Sequence, residues 1–82
     1  MKELIVRYAA GEYWLIKPIQ NTGYIPPLMI NESAAEIVRS LQAGKTVHEI
    51  AVLLSEGDDT IVEEIEQDIE ALKKQIHRHF HP

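Results

Sequence analysis

Three histidines close this chain in the segment "HRHFHP", and their spacing is its most suggestive chemical feature. His77 and His81 stand four residues apart and share a face if a helix runs that far, the spacing at which two imidazoles can hold a metal. His79 joins them only if the last turn frays. No acid stands nearby in sequence to complete the ligand set, and Pro82 follows at once. Chain ends are also usually mobile, so a solvated helix end is the stronger reading and no metal is expected. The fourth histidine, His48, falls two positions after Thr46 in "TVHE", where a histidine is ordinarily just exposed. No serine stands in a nucleophile's context. Cysteine is absent, which removes thiolate chemistry, zinc-thiolate sites and disulfides together. The glycines at 11, 23, 44 and 57 are each explained by a turn or a helix stop, so there is no phosphate-cradling loop. The chain therefore reads as a non-enzyme without a cofactor.

Carboxylates are the other reactive group in quantity, concentrated in "EGDDTIVEEIEQDIEA" at residues 56–71. Paired acids can move protons or hold cations. On an amphipathic helix, however, such a run is usually the solvated face, able to steer a basic partner. The 82 residues carry a formal charge of −5. That field is the wrong sign for a protein that grips a phosphate backbone, so no nucleic acid partner is expected. A chain this short closes around one small core, which argues for one domain over residues 1–82 and against a large enclosed active site. The first residues, "MKELIVRYAAGEYW", place charge inside their apolar run and do not form a signal peptide. No run is long enough for a membrane span. With no cysteine as well, the chain reads as cytoplasmic.

The elements follow from periodicity. "ELIVRYAAGEYWLIKP" holds two short runs rich in Ile, Val, Tyr and Trp around Ala-Ala-Gly, which predicts a β-hairpin over residues 4–8 and 13–17, with Gly11 supplying positive φ. Tyr13 and Trp14 are adjacent on a strand and so face opposite sides, one expected in the core and the other exposed or peptide-facing. Pro18 ends the hairpin, and "IQNTG" is a polar loop. "YIPPLMI" then alternates like a strand and passes directly into a helix capped by Asn31, with Glu32 in its first turn. That helix is predicted over residues 32–43, ended by Gly44. Thr46 and Glu49 form a capping box for a second helix that stops near Ser55. Thr60 and Glu63 repeat the pattern ahead of a third and longest helix, whose apolar stripe is Ile61, Ile65, Ile69, Leu72 and Ile76. On its other face, Glu70 and Lys74 form a favourable pair. The result is an α+β fold, a three-stranded antiparallel sheet followed by three helices, in a winged helix-turn-helix-like order.

Within that order the residues resemble the PqqD-like family, small recognition domains for the leader peptides of ribosomally made, modified peptides. The resemblance is carried by "GEYWLI", "LMINESAAEI", "GKTVHEIAVLL" and "VEEIEQDIEAL", in order and over nearly the whole chain. The matching positions are Gly11 and Tyr13 in the hairpin, residues 30–33 at the strand-to-helix junction, 46–50 opening the second helix and 63–69 in the third. The resemblance implies a non-catalytic domain that presents a leader peptide to a maturation enzyme, typically a radical SAM enzyme. The leader would add as a strand to the edge of the third strand and pack against the third helix. The expected peptide-binding residues are Leu28, Met29 and Ile30 on the strand and Glu64, Asp68, Leu72 and Gln75 on the helix.

An edge strand carries unpaired N–H and C=O groups, and β-augmentation uses them. Pro26 and Pro27 occupy both strand parities, so one outward donor is lost whichever way the strand faces, and the usable edge shortens to residues 28–30. Leu28 and Ile30 share the core face, while Met29 faces the other way. Acids on the third helix favour a leader carrying Lys or Arg. Two rival readings remain: a winged-helix DNA binder, which needs basic side chains that "TVHEIAVLLSEG" lacks, and a dimerisation module using the free edge.

Overall fold

A computed structural model describes residues 1–18 and 23–81; the predicted loop at residues 19–22 and the terminal Pro82 lie outside the described residues. The element order is β1 (Ile5–Ala9), β2 (Glu12–Ile16), β3 (Leu28–Ile30), α1 (Glu32–Gln42), α2 (Val47–Ser55), one 3-10 turn (Asp59–Ile61) and α3 (Val62–Phe80). The strands form one antiparallel sheet ordered β1-β2-β3. Its register sets Val6 beside Leu15 beside Leu28, and Tyr8 beside Tyr13 beside Ile30. Because side chains alternate across a strand, these six share the face turned to the helices.

The hairpin turn has two residues, Ala10 and Gly11, at φ 54° and 79°. Positive φ at both central positions is the mirror-image turn whose twist matches that of the flanking strands. Glycine enters it freely, but alanine pays a steric penalty there. Ala10→Asn should therefore raise stability by about 0.5–1 kcal/mol, since asparagine tolerates the left-handed region. The urea unfolding midpoint measures it, and an unchanged or lower midpoint would mean that the turn is not of this type.

The caps read from sequence hold in two of three cases. At α1 the Ala34 N–H donates to Asn31 Oδ1 at 2.7 Å. The helix ends with Gly44 at φ 94°, where the Lys45 N–H reaches back to the Ser40 carbonyl and the Gly44 N–H to that of Leu41, the double closure that glycine makes accessible. At α2 the Thr46 and Glu49 backbone N–H groups each donate to the other residue's side chain, at 2.9 and 3.0 Å. The bond from the Thr46 N–H holds the Glu49 carboxyl below its ordinary value. The third expected box, Thr60 with Glu63, does not form. Asp58 accepts from both the Thr60 N–H at 3.0 Å and the Thr60 hydroxyl at 2.6 Å. With its hydroxyl committed, Thr60 sits inside a 3-10 turn over Asp59–Ile61 that Asp58 caps, and α3 begins after Ile61 without a side-chain cap.

Two apolar clusters build the interior. One joins Leu4, Leu15, Ile30, Ala35, Val38, Ile76 and Phe80, with Leu28 and Leu72 packed against it. The other joins Ile50, Ala51 and Ile69, with Ile37, Leu41, Val62 and Ile65 around it. The long helix α3 thus divides its contacts, its first half against α1 and α2 and its second half against the sheet. The start of the chain is tied to the end of α1, where the Gln42 side-chain amide donates to the Met1 and Leu4 carbonyls at 3.1 and 2.8 Å.

The end of the chain differs from the expectation of a solvated helix end. Ile76 and Phe80 are each only 3% exposed. The last turn docks because Phe80 continues the stripe of Ile69, Leu72 and Ile76 at helical spacing. Tyr13 and Trp14 do lie on opposite faces, but both are half-buried. Tyr13 packs toward the core, and the Trp14 indole N–H donates to the Ala9 carbonyl at 3.0 Å.

Candidate peptide-binding edge

β3 pairs with β2 on one side, and among the described residues no strand pairs with its other side. Its three residues divide as their alternation predicts. Leu28 and Ile30 turn inward to the cluster that contains Ile76 and Phe80. Met29 lies on the outer face of the sheet beside Trp14, 55% exposed. Leu28 and Ile30 therefore form the floor under the open edge, and Met29 stands across the sheet from α3.

On the helix, residues 64, 68, 72 and 75 recur at intervals of four, four and three. They fall within an arc of about 80°. Leu72 is half-buried and packs against the same cluster as Leu28, whereas Glu64, Asp68 and Gln75 are exposed. The side chains of those three make no hydrogen bond or ion pair among the described residues. Only the second half of α3 shares the cluster under the sheet, so Leu72 joins the apolar group that holds Leu28 and Ile30, while Glu64 lies in the half of α3 that packs on the other helices.

The residue that joins the two walls was not among those expected. His79 lies on the same arc, and its Nε2–H donates to the Pro26 carbonyl at 2.6 Å. The interval of four from Gln75 to His79 was a signal for this position, had the helix been carried to Phe80 instead of ending in a frayed turn. The contact also limits the edge. Pro26 has no N–H, and its carbonyl already accepts from His79, so a guest strand finds its first free backbone groups further along, toward Leu28.

From His79 to Glu64 is fifteen residues, about 22 Å along a helix. β3 itself spans only about 10 Å. A guest that pairs with β3 and also reaches Glu64 needs about seven extended residues.

The other histidines do not converge on a metal. His77 and His81 stack face to face, ring centroids 4.6 Å apart, and His79 turns away to Pro26. Among the described residues no group of three or more His, Cys, Asp or Glu side chains is placed to hold an ion. His48 is exposed, and its Nδ1 lies 3.2 Å from Glu66 Oε2, linking α2 to α3. The helix α2 exposes Val52, Leu53 and Leu54 and contains no lysine or arginine. No described helix is long and apolar enough to cross a membrane.

Fold and edge together define an α+β chain with an open strand beside the C-terminal half of its longest helix. Compared with known proteins, the chain matches no family model, no curated protein and no solved structure.

Proposed function

We propose that this protein is a non-catalytic binder of extended peptides, of the kind that presents a ribosomal precursor's leader to a modifying enzyme, with a radical SAM enzyme the leading type. The guest adds as a strand to β3 and lies between that edge and α3. The observation that supports this most is the open side of β3 next to a helix that the His79–Pro26 hydrogen bond ties to the start of the strand. Main-chain bonds to Leu28–Ile30 give generic affinity, and side chains meeting Leu72, Gln75 and Asp68 give selection.

Asp68 and Glu64 are unpaired acids along the guest's path, so the favoured leader carries Lys or Arg. Titrating synthetic extended peptides with lysine at alternate positions tests this. Raising salt from about 0.05 M to 0.5 M should weaken binding roughly five- to tenfold, because exposed pairs are screened over a few ångströms at the higher ionic strength. Binding that ignores salt removes the charged part of the proposal, and absence of binding to any extended peptide removes all of it. A short precursor-like reading frame beside a radical SAM enzyme gene would identify the natural leader.

A further inference from the structure

The outward face of α3 carries a charge pattern that the peptide edge does not use. Residues 63, 67, 70, 71, 74 and 78 fall within an arc of about 100°, on the side away from Ile65, Ile69, Ile76 and Phe80. All six are exposed. The signs along the helix are segregated, with Glu63, Glu64, Glu66, Asp68 and Glu70 in the first half and Lys73, Lys74 and Arg78 in the second. Acids at a helix N-terminus and bases at its C-terminus complement the helix dipole, but that effect fades within the first and last turns. Glu70, Lys73 and Lys74 stand well inside the helix, beyond its reach.

The segregation also leaves repulsion within the chain. Glu66 and Glu70 are four residues apart, as are Lys74 and Arg78, and like charges at that spacing disfavour a helix. Glu70 pairs with Lys73 at 3.5 Å and not with Lys74 as the sequence suggested. Neither the Lys74 nor the Arg78 side chain has a hydrogen-bond or ion-pair partner among the described residues. Two shallow depressions follow this flank of the helix. One is lined by Glu63, Glu66, Gln67, Glu70, Ala71 and Lys74, the other by Glu3, Glu70, Lys73, Lys74, His77 and Arg78 over a floor of Leu4, Ile76 and Phe80. Glu70 and Lys74 border both, so the first is acidic and the second basic only in balance.

We infer that this face binds a second copy of the same chain, α3 against α3 in antiparallel sense. A twofold axis passing between residues 70 and 71 sets Glu63 opposite Arg78 of the second copy and Gln67 opposite its Lys74. It does the same in reverse, as an isologous contact requires. Ala71 lies at the crossing, where a small side chain lets two helices approach closely. The basic half of each helix then lies along the acidic half of the other, and the Lys74–Arg78 repulsion is eased by Glu63 of the second copy. The contact is small and polar, so the dimer is weak and forms only at high protein concentration and low salt. It leaves β3 and the Leu72 side of α3 free, so a guest peptide and the second copy do not compete.

Sedimentation equilibrium of the whole chain tests this at about 0.02 M and about 0.5 M salt. The expected result is reversible dimer at low salt and monomer at high salt. Arg78→Glu and Glu63→Arg should each weaken association about tenfold or more, while the double variant E63R/R78E should return it to within about threefold. All these positions are exposed, and circular dichroism confirms that each variant is folded. A protein monomeric at low salt up to about 1 mM overturns the inference. So does a dimer that ignores salt, which would belong to an apolar surface such as the outer sheet face of Ile5, Trp14 and Met29. A double variant that stays as weak as the single ones also overturns it.

Discussion

Phe80→Ala, only the third residue from the end of the chain, is expected to destabilise the protein by about 3–5 kcal/mol, the range for removing a buried phenylalanine side chain. Phe80 is 3% exposed and belongs to the same cluster as Leu4, Leu15, Ile30 and Val38. The loss has two parts, the transfer of the ring to water and the cavity left among neighbours that cannot fully close. For a domain of this length total stability is only about 4–12 kcal/mol, so the variant sits near or past its unfolding midpoint. Urea denaturation followed by Trp14 fluorescence measures it, and with a slope near 1 kcal/mol per molar the midpoint should fall by roughly 3 M or more. His81→Ala is the control. His81 is the next residue and exposed, and its replacement should change stability by less than about 0.5 kcal/mol. A Phe80→Ala loss as small as the control's would mean that the last turn does not dock.

The second large effect concerns the guest. In an antiparallel or parallel ladder, alternate residues of a strand turn their N–H groups to the neighbour. Methylating a backbone nitrogen of the peptide that faces β3 removes a donor and forces a methyl group into the ladder. Each such change should weaken binding about tenfold or more, combining a lost hydrogen bond with a steric clash. Methylation at the intervening nitrogens should leave affinity within about twofold. The expected profile is an alternation confined to a few consecutive positions, because β3 spans only Leu28–Ile30 and Pro26 has no N–H to offer. Isothermal titration of the methylated series measures it. A flat profile would mean that any bound peptide is held by side chains or in another conformation. This experiment is independent of the salt titration, so the backbone and charge parts of the proposal can fail separately.

Much of the edge was legible in the chain before any coordinates. The alternation in "LMI" places Leu28 and Ile30 inward and Met29 outward, since side-chain direction in a strand follows from parity alone. The passage from strand to helix was legible at Asn31, whose short polar side chain caps the helix that follows. Other features were not legible because a competing local partner decided them. Asp58 takes the Thr60 hydroxyl, and Ala10 shares the positive φ that only Gly11 was expected to need. The exposed acids were readable as a solvated face, but their sign segregation gains meaning only once the helix is known to turn that whole stripe outward.

By itself the sequence determined the number and order of the elements, most of their boundaries and the faces of the third strand, because caps, turns and periodicity act between residues a few positions apart. The tertiary structure alone decided that α3 gives its first half to the other helices and its second half to the sheet, that Phe80 closes the core, and that His79 reaches Pro26 across 53 positions of chain. Those contacts join residues whose separation along the chain carries no local signal. They exist because burying one continuous apolar stripe against two different layers lowers the free energy more than leaving its last turn in water.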